Sequence, residues 1–270
     1  MIKKLNKSYK QQVLDFCYRR EKENLFIIGS FQNYKDTFKS NKFYGYFKND
    51  QLIGLGVFFT RFGSLVINAR NKKVIESITD FIIAENLNIE CVPVFKKYAD
   101  VIIRRLSCVH KKVSKKYIEQ AVFLLEKQNF QNFSDGTEAI AAKKDVDEIA
   151  VFATGKKQSE ITEIDKKRVF PNQEFILRRN NRIISKANIH GVSENYFQIG
   201  GVGTLEAYRH KGYAKQIVSK LYEYFFKKGI KYGLLFTAND NLAAQKLYKS
   251  IGFKPVDEFV ICEYSPIPHL

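Results

Sequence analysis

A short basic loop in the second half of the chain has the residue types of a phosphate-binding turn. Residues 209–214 are Arg-His-Lys-Gly-Tyr-Ala and lie between a strand pattern and an amphipathic helix pattern. Gly212 and Ala214 are small, so backbone N–H groups can face a ligand, and a helix start adds partial positive charge. This spacing predicts a phosphate or pyrophosphate cradle, and the alternative is an ordinary basic strand-to-helix loop. The cations around the cradle are Arg209, His210, Lys211 and Lys215.

A second motif follows on a predicted helix over residues 241–250. Asn241, Ala244, Tyr248, Gly252 and Phe253 fit the spacing N-x-x-A-x-x-x-Y-x-x-x-G-F. By periodicity alone, Tyr248 is a packed aromatic residue on an amphipathic helix. The motif match favours a cofactor-binding or catalytic role instead, because a second motif occurs in the expected structural context.

Together, the two motifs resemble the GNAT superfamily of N-acetyltransferases. The resemblance covers about residues 175–264, where the order strand, loop, helix, strand, helix also matches. It implies an α/β (α+β, mixed-sheet) GNAT fold in the C-terminal half. It also implies that acetyl-CoA (coenzyme A) is the cofactor.

The resemblance assigns a role to each matching residue. The strand end Val202-Gly203-Thr204 would pair with the pantetheine arm as an added strand does. Asn241 would bind the cofactor near the pantetheine, and Tyr248 would protonate the leaving thiolate, since a phenol is protonated at neutral pH. The pyrophosphate would be held at Arg209, His210, Lys211, Gly212, Tyr213, Ala214 and Lys215.

The general base is not identifiable from the sequence. Many family members have Pro-Glu after the fourth strand, whereas this chain has Glu206-Ala207, which displaces the carboxylate by one position. Glu206 is either an activator of the amine through water or a solvated loop residue. His190 is a weaker candidate because a lone histidine is more often structural. Glu174 and Glu194 are weaker still.

Apolar patterns and turn residues predict the elements around the motifs. In the second half we expect helices over 145–153 and 159–170, the latter stopped by Pro171. Strands are expected over 175–179 and 183–189, joined at Asn180-Asn181, and over 197–204. A helix from about Gly212, a strand over 232–238 and a strand over 256–264 complete the pattern.

The first half shows a similar plan without the loop. We expect a helix over 9–20 whose apolar surface continues to Ile28 and ends at Gly29-Ser30, then a hairpin over 44–48 and 52–59. Strands over 64–69, 88–93 and 117–130 and helices over 73–86 and 94–106 follow. The prediction is two domains, 1–130 and 131–270. The first is either a degenerate GNAT-like half or an unrelated α/β substrate domain.

Composition limits the classes of protein that fit. The 270 residues are 45% hydrophobic with a net charge of +17, and no apolar run approaches the roughly 18 residues of a membrane span. We therefore expect a soluble cytoplasmic protein without a membrane segment. A metal site is not expected, because the four cysteines form no CxxC pair. Nucleic acid is not expected as the main partner, since no helix-turn-helix, zinc-finger or RNP-type motif accompanies the charge.

Three functional hypotheses remain open at this point. The leading one is transfer of an acetyl group from acetyl-CoA to a primary amine of a small-molecule or peptide acceptor. The second is aminoacyl transfer from tRNA, as in tandem-GNAT ligases, which the charge suits and the intact CoA loop disfavours. The third is a non-catalytic acetyl-CoA sensor, which a retained Tyr248 disfavours. Neither the acceptor nor the oligomeric state can be derived from the sequence.

Overall fold

The structure is a computed structural model that describes residues 1–110, 114–170 and 173–264. Contacts divide the chain into two compact units. The first contains Met1–Val122, Phe236–Asn241 and the segment from Pro255 onwards, and the second contains Phe123–Leu235 and Leu242–Lys254. The predicted domain bounds, 1–130 and 131–270, stay a prediction. The compact units are drawn differently, since the C-terminal strand groups with the first unit.

The helices and strands are numbered in chain order. Those up to the junction are β1 (Ile2–Leu5), α1 (Lys10–Tyr18), α2 (Glu21–Asn33), α3 (Thr37–Ser40), β2 (Lys42–Lys48), β3 (Gln51–Phe59), β4 (Ser64–Ala69), α4 (Lys72–Ala84), β5 (Cys91–Phe95), α5 (Lys96–His110) and β6 (Ser114–Glu126). Those after it are β7 (Ala139–Ile140), α6 (Val146–Thr154), α7 (Glu163–Lys167), β8 (Glu174–Arg179), β9 (Arg182–Val192), β10 (Tyr196–Thr204), α8 (Tyr213–Lys227), β11 (Tyr232–Ala238), α9 (Leu242–Ile251) and β12 (Lys254–Tyr264).

The first unit is a mixed sheet with helices packed on it. Its strands run in the order β1-β2-β3-β4-β5-β12, in which β4 and β5 are parallel and the other pairs with a described register are antiparallel. A Cβ on Gly54 of β3 would lie 2.5 Å from Val74 Cγ1, and one on Gly56 would lie 2.7 Å from Ile78 Cγ2. The two glycines therefore let α4 pack close to β3 and bury its apolar side.

The second unit repeats this plan. Its strands run in the order β11-β10-β9-β8-β7, with β10 and β11 parallel and the other pairs antiparallel. Phe197 of β10 packs against Tyr222 and Phe225 of α8, with ring centroids 4.5 Å apart in both pairs. The predicted mixed α/β fold is thus confirmed.

Most predicted elements form near their expected positions, and the hairpin turns show why. Asn49, Asp50, Asn180 and Asn181 all have φ between 48° and 59°. Two-residue hairpin turns with both central residues at positive φ suit the twist of the flanking strands, and Asn and Asp tolerate this conformation.

Two helix boundaries differ from the sequence prediction. Helix α2 does not end at Gly29-Ser30 but continues to Asn33, because both residues are buried and tertiary packing outweighs the low helix propensity of Gly29. The predicted helix over 159–170 is reduced to α7, whose start is fixed by a capping box between Thr162 and Asp165. The expected stop at Pro171 lies outside the described residues. Strand β1 was not predicted.

No helix in the described parts of the chain combines the length and apolar character that a bilayer crossing would need.

Candidate functional site

The end of β10 is irregular at the position predicted to bind pantetheine. Its parallel register with β11 runs from Tyr196 to Ile199, and its pairing with β9 shifts between Gly200 and Gly203. Gly201 has φ +54°, in the left-handed region. Val202, Gly203 and Thr204 therefore continue β10 past its described register with β11, and Gly203 and Thr204 pair with Lys186 and Ser185 of β9. A strand edge without a partner can accept an extended ligand as an added strand.

The loop after β10 presents a row of backbone N–H groups. His210 has φ +62° and Gly212 has φ +84°, and α8 begins directly after Gly212. The first intrahelical bond runs from Gln216 N–H to the Gly212 carbonyl, at 3.0 Å. The N–H groups from His210 to Lys215, which include those of Lys211, Tyr213 and Ala214, bond to no acceptor in the described ranges. The arrangement of alternating backbone conformations and a helix start is suited to an anion.

Basic side chains surround this loop but leave its centre open. The Arg209 Nε donates to the Thr204 carbonyl at 3.3 Å, and the Lys211 Nζ donates to the Ala207 carbonyl at 3.3 Å. Lys215 lies over the Phe133 ring, 3.9 Å from its centroid. A Cβ built on Gly212 would meet no atom within 4 Å, so open space lies on that side. The basic loop thus follows the strand end directly and contacts it through Arg209 and Thr204, and the binding roles of these residues stay a prediction.

Tyr248 lies on α9 with a buried ring and an unbonded hydroxyl. It is 7% exposed, with its centroid 6.3 Å from that of Phe123 and 5.8 Å from that of Phe253. Its Oη has no hydrogen-bond partner in the part of the chain that the structure describes. Burial raises the pKa of Tyr248 to about 12. The hydroxyl oxygen itself is not fully buried, so water or a ligand can reach it.

Asn241 is exposed and immediately precedes α9. Its backbone N–H donates to the Ala238 carbonyl at 3.0 Å, so the turn that starts α9 is ordered. It belongs to the segment Phe236–Asn241 of the first unit, whereas the loop and Tyr248 belong to the second.

A polar cluster on β8 and β9 was not predicted as a unit. Lys186 donates to Glu174 at 2.9 Å, and both side chains are about 7% exposed or less. Burial raises the pKa of Glu174, although Lys186 opposes the shift. The buried Asn188 Oδ1 has no described partner and lies where a Cβ on Gly201 would come within 2.7 Å. The period-two spacing of Lys186, Asn188 and His190 is the signal that could have identified this cluster.

The weaker base candidates occupy different environments. His190 packs its ring against the Cα of Gly200, where any side chain would collide with it. Glu206 and Glu194 are exposed. Glu174 is tied to Lys186 by a buried ion pair, so it is a poor candidate for a free base at neutral pH. The general base stays unassigned.

Comparison with known proteins gives the family of the second half. Residues 127–253 match the model of the Acetyltransferase (GNAT) family. A search of curated proteins found no significant match. The fold resembles a GNAT-family acetyltransferase from Colwellia psychrerythraea at TM-score 0.57 and 15% identity, covering 98% of this chain and 100% of the other.

Two further solved structures resemble the chain over nearly its whole length. A tandem GNAT protein from the clavulanic acid biosynthesis pathway matches at TM-score 0.63 and 9% identity, covering 99% of this chain and 100% of that one. A Drosophila protein matches at TM-score 0.71 and 9% identity, covering 98% of each chain.

Over nearly its whole length the chain is similar in fold to GNAT proteins, including one with a tandem arrangement. The second half, residues 127–253, is a domain of the GNAT acetyltransferase family.

Proposed function

We propose that the second half is an N-acetyltransferase that moves an acetyl group from acetyl-CoA to a primary amine. The observation that carries this proposal is the row of unbonded N–H groups from His210 to Lys215, directly after the open end of β10. The loop would hold the pyrophosphate, and Val202-Gly203-Thr204 would pair with the pantetheine. Asn241 would add a hydrogen bond near the pantetheine.

In this proposal, Tyr248 acts as the general acid. The amine nitrogen forms a bond to the thioester carbonyl carbon, and the carbon–sulfur bond breaks. Tyr248 donates its phenolic proton to the sulfur and is reprotonated by the proton that the amine nitrogen gives up, so the products are an amide and a free thiol. Its raised pKa keeps the phenol protonated until the thiolate develops.

The first unit lacks the corresponding loop. Only Arg70 and Asn71 join β4 to α4, and Asn71 Oδ1 accepts the Lys73 N–H at 2.8 Å. The N-terminus of α4 is thus capped by its own chain, which removes a donor from an incoming phosphate. We propose that this half is a GNAT-like unit that no longer binds a cofactor in this way.

Calorimetric titration with acetyl-CoA tests the proposal, using Gly212→Ala as the variant. Alanine is strained at φ +84°, so the loop must shift and the N–H groups turn away. We expect one site in the wild type and at least about tenfold weaker binding in the variant, about 1.4 kcal/mol. The matched control is Gly229→Ala, because Gly229 has φ +90°, open space around it, and lies beyond the other end of α8.

Other results would change the assignment. Equal weakening by both alanine variants would exclude the loop as the site. Two sites in the wild type would show that the first half also binds the cofactor. No binding would remove the acetyltransferase proposal and favour aminoacyl transfer from tRNA, which the net charge of +17 suits.

A further inference from the structure

The first unit contains a cleft that the proposed acetyl transfer does not use. It lies where the α1–α2 junction meets the start of β3 and the end of β4, and its volume is about 460 Å³ including the open mouth. Phe16 and Leu52 give it apolar walls, and Arg19, Arg20 and Arg70 also line it. We call it the arginine cleft. Its enclosed volume of about 90 Å³ suits a small ligand.

Only one of the three arginines at the arginine cleft has a hydrogen-bond or ion-pair partner in the described ranges. The Arg20 Nη1 lies 2.9 Å from Tyr98 Oη and 3.5 Å from Glu23 Oε2. Arg19 and Arg70 make no hydrogen bond or ion pair with any residue in the described ranges. Arg19 and Arg70 are exposed, so both guanidinium groups are free to pair with an anion at the cleft.

The side-chain carbonyl oxygen of a buried asparagine at the same cleft accepts no hydrogen bond from any described residue. Asn68 is 3% exposed and lines the arginine cleft. Its Nδ2 donates to Asn24 Oδ1 at 3.1 Å and to Glu23 Oε2 at 3.4 Å, and these two acceptors fix the orientation of the amide. The Asn68 Oδ1 accepts no hydrogen bond from the described part of the chain. An acceptor that the chain leaves unpaired at a cleft can take a hydrogen bond from a ligand there.

We propose that the arginine cleft binds a small organic anion that also carries a hydroxyl or amino group. The carboxylate or phosphate group of this ligand pairs with Arg19 and Arg70, since guanidinium groups match both anions with paired hydrogen bonds. The hydroxyl or amino group donates to Asn68 Oδ1, and the carbon skeleton contacts Phe16 and Leu52. The proposal is independent of acetyl transfer, because every residue named here belongs to the first unit.

Titration with matched pairs of probes tests both parts of the proposal. Malate and succinate are dianions that differ by one hydroxyl group, and 3-phosphoglycerate presents a phosphate beside a hydroxyl. At constant ionic strength we expect the full-length protein to bind malate or 3-phosphoglycerate, and malate at least about fivefold more tightly than succinate. Calorimetry measures the affinities, and the shift in thermal unfolding provides a second readout.

Variants locate the binding and separate it from a general effect of charge. The double variant Arg19→Gln/Arg70→Gln should weaken binding at least about tenfold and leave acetyl-CoA binding unchanged. The control Arg61→Gln/Arg104→Gln removes the same charge from exposed positions of the same unit and should change the affinity less than about twofold. The proposal is wrong if no probe binds up to about 20 mM, if both double variants weaken binding equally, or if succinate binds as well as malate. Competition between malate and acetyl-CoA would also overturn it, since the two sites would then be one.

Discussion

At the scale of single residues, two buried polar sites are the most informative: a tyrosine whose hydroxyl has no described partner, and a lysine–glutamate ion pair. Tyr248 is enclosed by aromatic rings and keeps an unbonded hydroxyl, whereas Lys186 and Glu174 satisfy each other inside the second unit. The first arrangement suits a residue that acts on a ligand. The second suits a residue pair that holds the sheet face next to the irregular end of β10.

The phenol of Tyr248 can be removed without changing the packing of its ring. In Tyr248→Phe we expect kcat to fall about 100-fold, because positioned acid catalysis contributes roughly 10²–10⁴-fold. Acetyl-CoA affinity should change little. Because the pKa of Tyr248 is about 12, the wild-type rate should show no loss from ionisation of this phenol below about pH 11. Release of free CoA thiol with a panel of primary amines measures the rate, and an unchanged kcat would remove the assignment.

The Lys186–Glu174 pair predicts a stability that depends on pH. The folded state raises the pKa of Glu174, so the stability contribution of this carboxyl declines as the pH rises through that pKa. In Lys186→Met the carboxylate loses its compensating charge. The free energy of unfolding should fall by about 3–5 kcal/mol at pH 8 and by less at pH 5, where Glu174 is protonated more readily.

Urea denaturation at both pH values measures this effect. The double variant Lys186→Met/Glu174→Gln should recover most of the loss at pH 8. Lys227→Met is the control, because Lys227 is 74% exposed in its pair with Glu223 and such pairs contribute less than about 1 kcal/mol. An equal loss at pH 5 and pH 8 would contradict the explanation.

At the scale of elements, the important contact is the close approach of α8 to β11. The Tyr222 ring lies against the Cα of Gly233, and its hydroxyl donates to the Leu234 carbonyl at 3.0 Å. This contact fixes the helix whose N-terminus forms the proposed cradle. The position of the cradle therefore depends on a glycine in a neighbouring strand.

Adding a methyl group at Gly233 tests this dependence. Gly233→Ala should lower the free energy of unfolding by about 1–3 kcal/mol, because the pinned Tyr222 ring must move. Tyr222→Leu alone should also destabilise the protein. The double variant should lose less free energy of unfolding than the sum of the two single losses, since the smaller side chain makes room for the methyl group. Denaturant unfolding of all four proteins measures the coupling, and simple additivity would contradict it.

At the scale of the whole molecule, chain order and structural unit do not coincide. Strand β12 follows the second half in sequence, yet it pairs with β5, with Phe259 opposite Phe95 and Cys262 opposite Val92. Phe259 is 3% exposed and packs on Phe236 with a centroid distance of 4.4 Å. The C-terminal strand is therefore part of the core of the first unit.

Hydrogen exchange can reveal this assignment. Phe259→Ala should destabilise the first unit by about 3–5 kcal/mol and raise exchange in β4 and β5 more than in β9 and β10. Phe197→Ala is the reciprocal control, because Phe197 is buried in the second unit and should have the opposite pattern. An equal rise in both units from either variant would show that they unfold as one.

Most helices and strands were predictable from the sequence, and so was the chain order of the strand end, the basic loop and the helix that form the proposed site. Turn residues that tolerate positive φ, such as Asn180 and Asn181, and apolar periodicity are local signals, and they defined the hairpins and α8 correctly. The two motifs predicted the GNAT family, which the comparison confirmed for residues 127–253. Local geometry determines these features, so a local pattern is enough to find them.

Only the tertiary structure decided how distant residues combine. Helix α2 passes through Gly29 because Gly29 and its neighbours are buried, and tertiary packing outweighs the low local propensity. The Glu174–Lys186 pair and the arginine cleft join residues from separate elements, and β12 joins the first unit through backbone pairing with β5. Such contacts depend on burial and strand register, which bring together positions far apart in the chain, so a local pattern can mark one partner but not the pairing.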